Sequence, residues 1–266
     1  MLTHRVRLGA VDYLNARPLV YGLEMKSDRF SVRFDVPSKC AALLHEGSID
    51  VGMIPSIEYL RGRVAYRIVP GCGIISSGPV ASVALFTTKP VDQIRSIAAD
   101  TSSRTSNGLL RVLCYESFGI DPAFVPMPPR IDEMLVDCEA ALLIGDPALF
   151  LDHAARGLMK VDLGTEWTKL TELPFVWAFW AGRPGVLSES AVAALIHTRD
   201  AGVAASDEIA AAYCGPGRAA AGQAYLRENI QYRLGEPEQA GLRRYYQLAA
   251  KHGVVEEIKA PEFYRA

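Results

Sequence analysis

The chain has 266 residues and a formal net charge of −2; half of its residues are hydrophobic and 22% are charged. At roughly 100–200 residues per domain this is one large or two modest domains with a packed core, which excludes wholesale disorder. The weak net charge also excludes partners recognised by field alone, such as duplex DNA or an anionic membrane. An anion bound here must be held by local geometry.

In chain order, Val6–Val11 reads as a strand and Pro18–Met25 carries helical spacing. Val32–Val36 alternates again. Pro37 then opens a helix with Cys40, Leu43 and Leu44 on one face, stopped by Gly47. Ile49–Ile54 is a third strand, followed at once by a helix from Pro55 through Leu60. The turn-rich Ser76–Pro79 leads into a strand over Val80–Thr87. The opening order then repeats. Ser96–Ala99 is a strand, Ser103–Ser117 a helix closed by Gly119, and Ala123–Pro126 a strand. Ile131–Val136 is a short helix, Ala140–Ile144 a strand and Pro147–Ala155 a helix. Phe175–Ala181 is a last apolar strand. Beyond Gly185 the chain is helical, with breaks near Gly215–Gly217 and Gly235–Pro237.

This duplicated alternation predicts an α/β protein of two similar lobes, each with a mainly parallel sheet flanked by helices and right-handed crossovers. The strands Val80–Thr87 and Phe175–Ala181 are the expected connections between them. The expected division is 1–84 plus 182–266 for the first lobe and 85–181 for the inserted second. Ligands of parallel sheets bind beyond the carboxyl ends of the strands. That rule selects Asp12–Asn15, Pro55–Ile57, Asp100–Ser106 and Gly145–Pro147, four loops that would face one cleft.

The longest apolar runs, Val80–Phe86 and Phe175–Ala181, are about seven residues, whereas a membrane span needs about 20. Met1–Ala10 has no apolar signal-peptide core, so the expectation is a cytoplasmic protein with no membrane partner. Five cysteines without a C-x-x-C pair predict neither a zinc ribbon nor a disulfide framework. The histidines (His4, His45, His153, His197, His252) lack ligand spacing, and neither metal nor cofactor is expected.

The sharpest local signal is Thr101-Ser102-Ser103-Arg104-Thr105-Ser106, five hydroxyls and an arginine where a strand hands over to a helix. Free N–H groups and the positive end of a helix dipole suit a carboxylate or phosphate there. One hydroxyl, such as that of Ser103, would suffice for capping. The loop is not a P-loop, which disfavours a nucleoside triphosphate. Asn15 reads evenly as a helix cap or as a ligand contact, while Ser56 and Asp146 read as caps of the helices they precede, Asp146 more as a cap than as a general base. Ser82, between Ala81 and Val83, reads by itself as a packed hydroxyl. No Ser/His/Asp triad and no spaced carboxylate pair is legible. Pattern alone thus reaches a bilobal binder of a small anion.

Eight segments together go further: Val11–Leu23, Asp35–Lys39, Ile49–Leu60, Gly78–Val83, Asp100–Ser106, Pro126–Pro129, Leu142–Leu149 and Leu173–Ala181. In order and register they resemble the chorismate dehydratase family of the futalosine route to menaquinone. The resemblance implies a periplasmic-binding-protein-like fold of type II without a transport role. It implies a lyase that takes water from chorismate to give 3-[(1-carboxyvinyl)oxy]benzoate, and it places Asn15 and Ser82 at the reacting centre. The candidate substrate contacts are then Tyr13 and Ser56 from the first lobe, with Ser102, Ser103, Arg104, Thr105, Ser106, Gly145 and Asp146 from the second. Chorismate has two carboxylates, for which the hydroxyl loop and the Ser56 turn are expected to form separate donor clusters. Arg104 either neutralises a carboxylate or braces its loop. With no histidine in the cleft loops, the substrate's own enolpyruvyl carboxylate is the expected base. The rival readings are a non-catalytic binder of a small carboxylate or aromatic anion, and a related dihydroxynaphthoate-forming enzyme that relies on a second-lobe histidine, for which only His153 is at hand.

Overall fold

The structure, a computed structural model, describes residues 5–26 and 28–266; His4 therefore lies outside the described residues. β1 (Val6–Val11) pairs in parallel with β2 (Phe30–Asp35) on one side and with β3 (Val51–Pro55) on the other. The helix expected over 18–25 is instead a 3-10 segment, Leu14–Val20, with Pro18 inside it. Proline has no N–H for an α-helical ladder, and short 3-10 turns tolerate that loss. α1 (Pro37–Glu46) starts on its proline and ends at Gly47, whose φ of 79° needs no Cβ. α2 (Glu58–Arg61) is a single turn after β3.

β4 (Arg67–Ser76) is a strand that alternation does not reveal, because Pro70, Gly71 and Gly73 interrupt it. It lies at the sheet edge, where a missing donor costs least. The chain then crosses to the second lobe. There it forms β5 (Val83–Thr87), β6 (Ser96–Asp100) and α3 (Thr105–Leu113), which runs into a π-helical turn, Cys114–Phe118. β7 (Ala123–Met127), α4 (Ile131–Asp137), β8 (Ala140–Ile144) and α5 (Gly145–Leu149) follow. β9 (Met159–Asp162) and α6 (Leu163–Thr171) close the lobe, neither of them anticipated. The chain returns as β10 (Phe175–Gly182) and finishes in α7 (Glu189–Ala204), α8 (Ser206–Cys214), α9 (Ala219–Glu228) and α10 (Glu236–Lys251).

The two sheets run β2-β1-β3-β10-β4 and β7-β6-β8-β5-β9, the same plan executed twice. In each sheet four strands run in one direction and a single strand, β10 or β5, runs against them, so the sheets are mixed with a mainly parallel direction, as expected. The expected division at residue 182 requires correction. β10 pairs with β3 and β4 in the first sheet, so the Phe175–Gly182 strand belongs to lobe one and the return crossing lies between β9 and β10. β10 is buried along its whole length, and its aromatic and aliphatic side chains fill both faces of a central strand. That burial, not a connecting role, explains its continuous apolar run.

Candidate active site

The lobes meet along a seam of direct hydrogen bonds. Leu14 N donates to Asp146 Oδ1 at 3.2 Å, Ser38 N to the Ser102 carbonyl at 3.1 Å, and Ile57 N to Thr105 Oγ1 at 3.2 Å. The Tyr245 hydroxyl donates to the Thr105 carbonyl at 3.0 Å. Between the lobes lies a cavity of about 60 Å³. Its wall includes Tyr13, Asn15, Ser82, Ser103, Arg104, Thr105, Ser106, Gly145 and Trp177, with apolar area from Val80, Ile74, Pro55 and Ala178.

Asn15 and Ser82 come from different lobe segments but share one partner. Asn15 Nδ2 donates to the Tyr225 hydroxyl at 3.0 Å, and that hydroxyl donates to Ser82 Oγ at 2.7 Å. Ser82 is fully buried and Tyr225 is buried behind it on α9. The other Asn15 atom, Oδ1, is buried without a protein partner. Such an acceptor costs roughly 1–3 kcal/mol unless something bonds to it. Asn15 therefore offers an acceptor, and Ser82, its lone pair taken by Tyr225, keeps its own proton to give.

The hydroxyl loop is divided in its tasks. Ser103, Arg104, Thr105 and Ser106 line the cavity. Ser102 turns inward: its N–H and hydroxyl both donate to Asp100 Oδ1, at 2.8 and 2.6 Å, forming an Asx-type turn that sets the loop. Burial pushes the Asp100 carboxyl up, and its Oδ2 has no partner. Ser103 is not the expected cap, since no side chain caps α3; its first N–H groups remain available. Arg104 is exposed, lines the cavity and forms no ion pair among the described residues.

Ser56, Ser102 and Asp146 are not among the lining residues and stand one layer back. Ser56 Oγ lies 3.4 Å from Thr105 Oγ1, so the two expected donor clusters are a single one. Asp146 caps nothing in its own helix. Its side chain reaches into the first lobe, to Leu14 N and to the Tyr213 hydroxyl on α8. Burial raises its carboxyl above the usual aspartate range, opposed by those two hydrogen bonds. Tyr213 is held in turn by the Arg17 guanidinium, 4.9 Å from its ring centroid. Gly145 has a φ of +63°, and the Tyr13 ring packs where its Cβ would be. Burial pushes the ionisation of the Tyr13 phenol up.

Sequence reasoning missed Tyr225, Tyr213 and Trp177. Trp177 lies at a register shift between Val176 and Ala178 of β10, a bulge that re-aims a side chain and has no sequence signature in an apolar run. Its Nε1 donates to Ser76 Oγ at 3.1 Å. Tyr225 and Tyr213 come from Ala-rich helices, 143 residues from Ser82 and 67 residues from Asp146 respectively, and only tertiary packing reveals them.

The cavity wall carries no histidine and no carboxylate among the described residues. His153, the second-lobe candidate for a base, bonds instead to the Leu158 carbonyl at 3.0 Å. No group of three or more His, Cys, Asp or Glu among the described residues could hold a metal ion. The five cysteines are free thiols, and burial pushes Cys40, Cys72 and Cys114 up to about 12, beyond nucleophilic use at neutral pH. No helix among the described residues is long and apolar enough to cross a membrane.

Comparison with known proteins bears on this geometry. A family model described as menaquinone biosynthesis matches residues 6–251. The chain is 30% identical over 257 residues to the chorismate dehydratase of Thermus thermophilus, covering 90% of this chain and 93% of that one. Among solved structures, an Archaeoglobus fulgidus protein superposes with a TM-score of 0.78 at 18% identity, over 96% of this chain and 100% of that one. The alkanesulfonate-binding protein of Xanthomonas axonopodis, bound to MOPS, gives 0.69 at 18% identity, over 95% and 94%. A Candida albicans protein described as having the generic periplasmic binding protein fold gives 0.68 at 11% identity, over 99% and 98%. At these identities the structural likenesses establish the fold, which is that of the periplasmic binding proteins, and leave activity to the site.

Proposed function

The chain belongs to the menaquinone-biosynthesis family, and from that premise we propose that it is a chorismate dehydratase, a lyase that removes water from chorismate to leave 3-[(1-carboxyvinyl)oxy]benzoate. The observation that carries the reading is the cavity itself: neutral hydroxyl and amide groups beside the Arg104 cation, one unpartnered buried acceptor, and no histidine or carboxylate among the described residues of its wall. Such a wall suits a substrate that brings its own charges and needs orientation more than acid–base help.

Dehydration requires loss of the proton on the ether-bearing ring carbon and of the neighbouring hydroxyl. As the proton leaves, negative charge spreads into the conjugated ring carboxylate. We assign that carboxylate to Ser103, Thr105 and Ser106 at the start of α3, with Arg104 at the mouth. Each hydrogen bond to a charged group contributes roughly 1.5–3 kcal/mol, and the helix dipole favours the charge that develops there. Asn15 and Ser82 meet the departing hydroxyl, Oδ1 accepting its hydrogen and the Ser82 hydroxyl donating to its oxygen. Tyr13 and Trp177 hold the ring in plane. The enolpyruvyl carboxylate, away from the cationic loop, keeps its basicity and takes the ring proton. It then returns that proton to the departing hydroxide, so water forms with no protein group ionised. Aromatisation makes the step downhill.

Ser56, Ser102 and Asp146 support the contact residues: Ser56 braces Thr105, Ser102 sets the loop, and Asp146 with Gly145 and Tyr13 closes the lobes. A cytoplasmic location goes with the reading, because a free dianion does not cross a bilayer unaided. Incubation with chorismate tests it directly: the diene absorbance disappears and a product lighter by one water appears by mass spectrometry. A protein that only binds an anion leaves the spectrum unchanged. An analogue lacking the enolpyruvyl carboxylate binds but is not dehydrated; its turnover at near-normal rate would overturn the assignment of the base.

A further inference from the structure

We propose that Tyr225, on α9 of the first lobe, is a positioning residue for the dehydration, its phenol fixing the orientation of both Asn15 and Ser82. The inference rests on the chorismate dehydratase reading and adds to it a residue from the helical third of the chain, outside every motif that carries the family resemblance.

A tyrosine hydroxyl has one proton and accepts through its lone pairs. Here the proton goes to Ser82 Oγ at 2.7 Å and a lone pair accepts Asn15 Nδ2 at 3.0 Å. Both bonds have directional consequences. With Nδ2 committed to the phenol, the Asn15 amide cannot rotate, and Oδ1 is the atom left without a protein partner. With a Ser82 lone pair occupied, the serine proton points away from Tyr225, and Ser82 lines the cavity. One phenol oxygen thus turns two adaptable groups, both lining the same cavity, into a fixed acceptor and a fixed donor. A departing hydroxyl uses both: it keeps its hydrogen on Asn15 Oδ1 and receives the Ser82 hydrogen bond as charge develops on it.

Tyr225 is not among the residues lining the cavity, so it acts through its two partners. Nor is it an acid in the reaction. Its ring is 2% exposed, and burial drives its ionisation far above neutral. A phenolate left behind would be a lone buried charge, whereas the proton balance closes without one. In that balance the ring C–H bond breaks and its proton passes to the enolpyruvyl carboxylate. The C–O bond breaks with its electron pair on oxygen, and the hydroxide takes that same proton to leave as water.

The test uses the full chain with Tyr225→Phe, which keeps the packing ring and deletes one oxygen. The expected result is a kcat lower by about 30-fold, with the KM for chorismate within about threefold and Tm within a few degrees. In a Ser82→Ala background the same substitution should cost clearly less than in wild type, because one of its two routes of action is already gone. A kcat within twofold of wild type overturns the proposal, as does an undiminished loss in the Ser82→Ala background. Should Tyr225→Phe fail to fold, 4-aminophenylalanine placed at 225 keeps the ring and a donor at its tip but replaces the hydroxyl lone pair with a much poorer acceptor for Asn15 Nδ2. The kcat should then fall several-fold with KM little changed, and an unchanged kcat overturns the proposal. Wild-type protein that fails to dehydrate chorismate overturns the functional reading and this inference with it. Active wild type with an indifferent Tyr225→Phe variant removes this inference alone.

Discussion

The Ile57 backbone N–H, at the end of β3 in one lobe, donates to the Thr105 hydroxyl at the start of α3 in the other, at 3.2 Å. Thr105 also faces Ser56 Oγ at 3.4 Å and gives its carbonyl to Tyr245 at 3.0 Å. A residue that looks from sequence like one hydroxyl among five is thus a point where the lobe seam and the cavity wall share an atom. In the closed form its oxygen serves the seam; a carboxylate arriving at α3 competes for the same hydroxyl.

Thr105→Val separates these roles with little change of shape. It leaves the Ile57 N–H buried without an acceptor, which costs roughly 1–3 kcal/mol. The expected outcome is a Tm lower by several degrees and a KM for chorismate raised more than kcat is lowered, read from a thermal melt and steady-state kinetics.

Asn15→Ala removes the buried unpaired acceptor together with the donor to Tyr225. Deleting one preorganised group of this kind typically costs 10²–10³ in rate. Turnover should fall by about that factor while Tm holds within a few degrees, since the lost acceptor was unsatisfied. Ser82→Ala should fall comparably. Near-normal kcat in either variant would count against the assignment.

Gly145→Ala tests closure. Gly145 has a φ of +63°, and an added Cβ would run into the Tyr13 ring. A left-handed backbone costs an alanine about 1 kcal/mol before any clash. The expected variant folds with modest loss of Tm but binds product weakly, because Tyr13 cannot take its place when the lobes close. Product-induced Tm shifts, compared with wild type, decide the matter.

Asp100 gives a pH signature of the hydroxyl loop. Burial raises its carboxyl above the ordinary value, so the folded chain holds a proton that the unfolded chain has released. Its contribution to stability is therefore full below the ordinary aspartate value near 3.9 and is lost as pH rises to the raised folded value. Asp100→Asn keeps the Oδ1 acceptor for Ser102 and has no such slope. Wild-type Tm should accordingly improve relative to the variant as pH is lowered from about 7 toward about 4. A gap that does not change with pH would show that the carboxyl titrates as it does in the unfolded chain.

Much of the architecture could be read in the linear chain, and the reasons are local. Alternation in Val6–Val11, the proline at the start of α1 and the glycine at its end are short-range signals, and each marks an element that forms. The repeat of strand and helix order anticipates two sheets with one topology. What was illegible is equally physical. β4 hides behind a proline and two glycines that only an edge strand tolerates. β10 reads as a connection because a fully buried strand lacks alternation, and only its partners β3 and β4 show which sheet it completes.

The site divides along the same line. Asn15 and the Ser103–Ser106 hydroxyls follow from the rule that loops after strands bind ligands, joined to the motifs they sit in, whereas Ser82 was singled out by the family resemblance alone. Which of them line the cavity was decided by the tertiary structure. It turned Ser102 inward to Asp100, sent Asp146 across the seam to Leu14 and Tyr213, and brought Tyr225 from the far end of the chain to the phenol-centred bridge. Helix caps and strand ends are set by neighbours a few residues away. A hydrogen bond spanning 143 residues exists only once both sheets have packed and the C-terminal helices have closed against them.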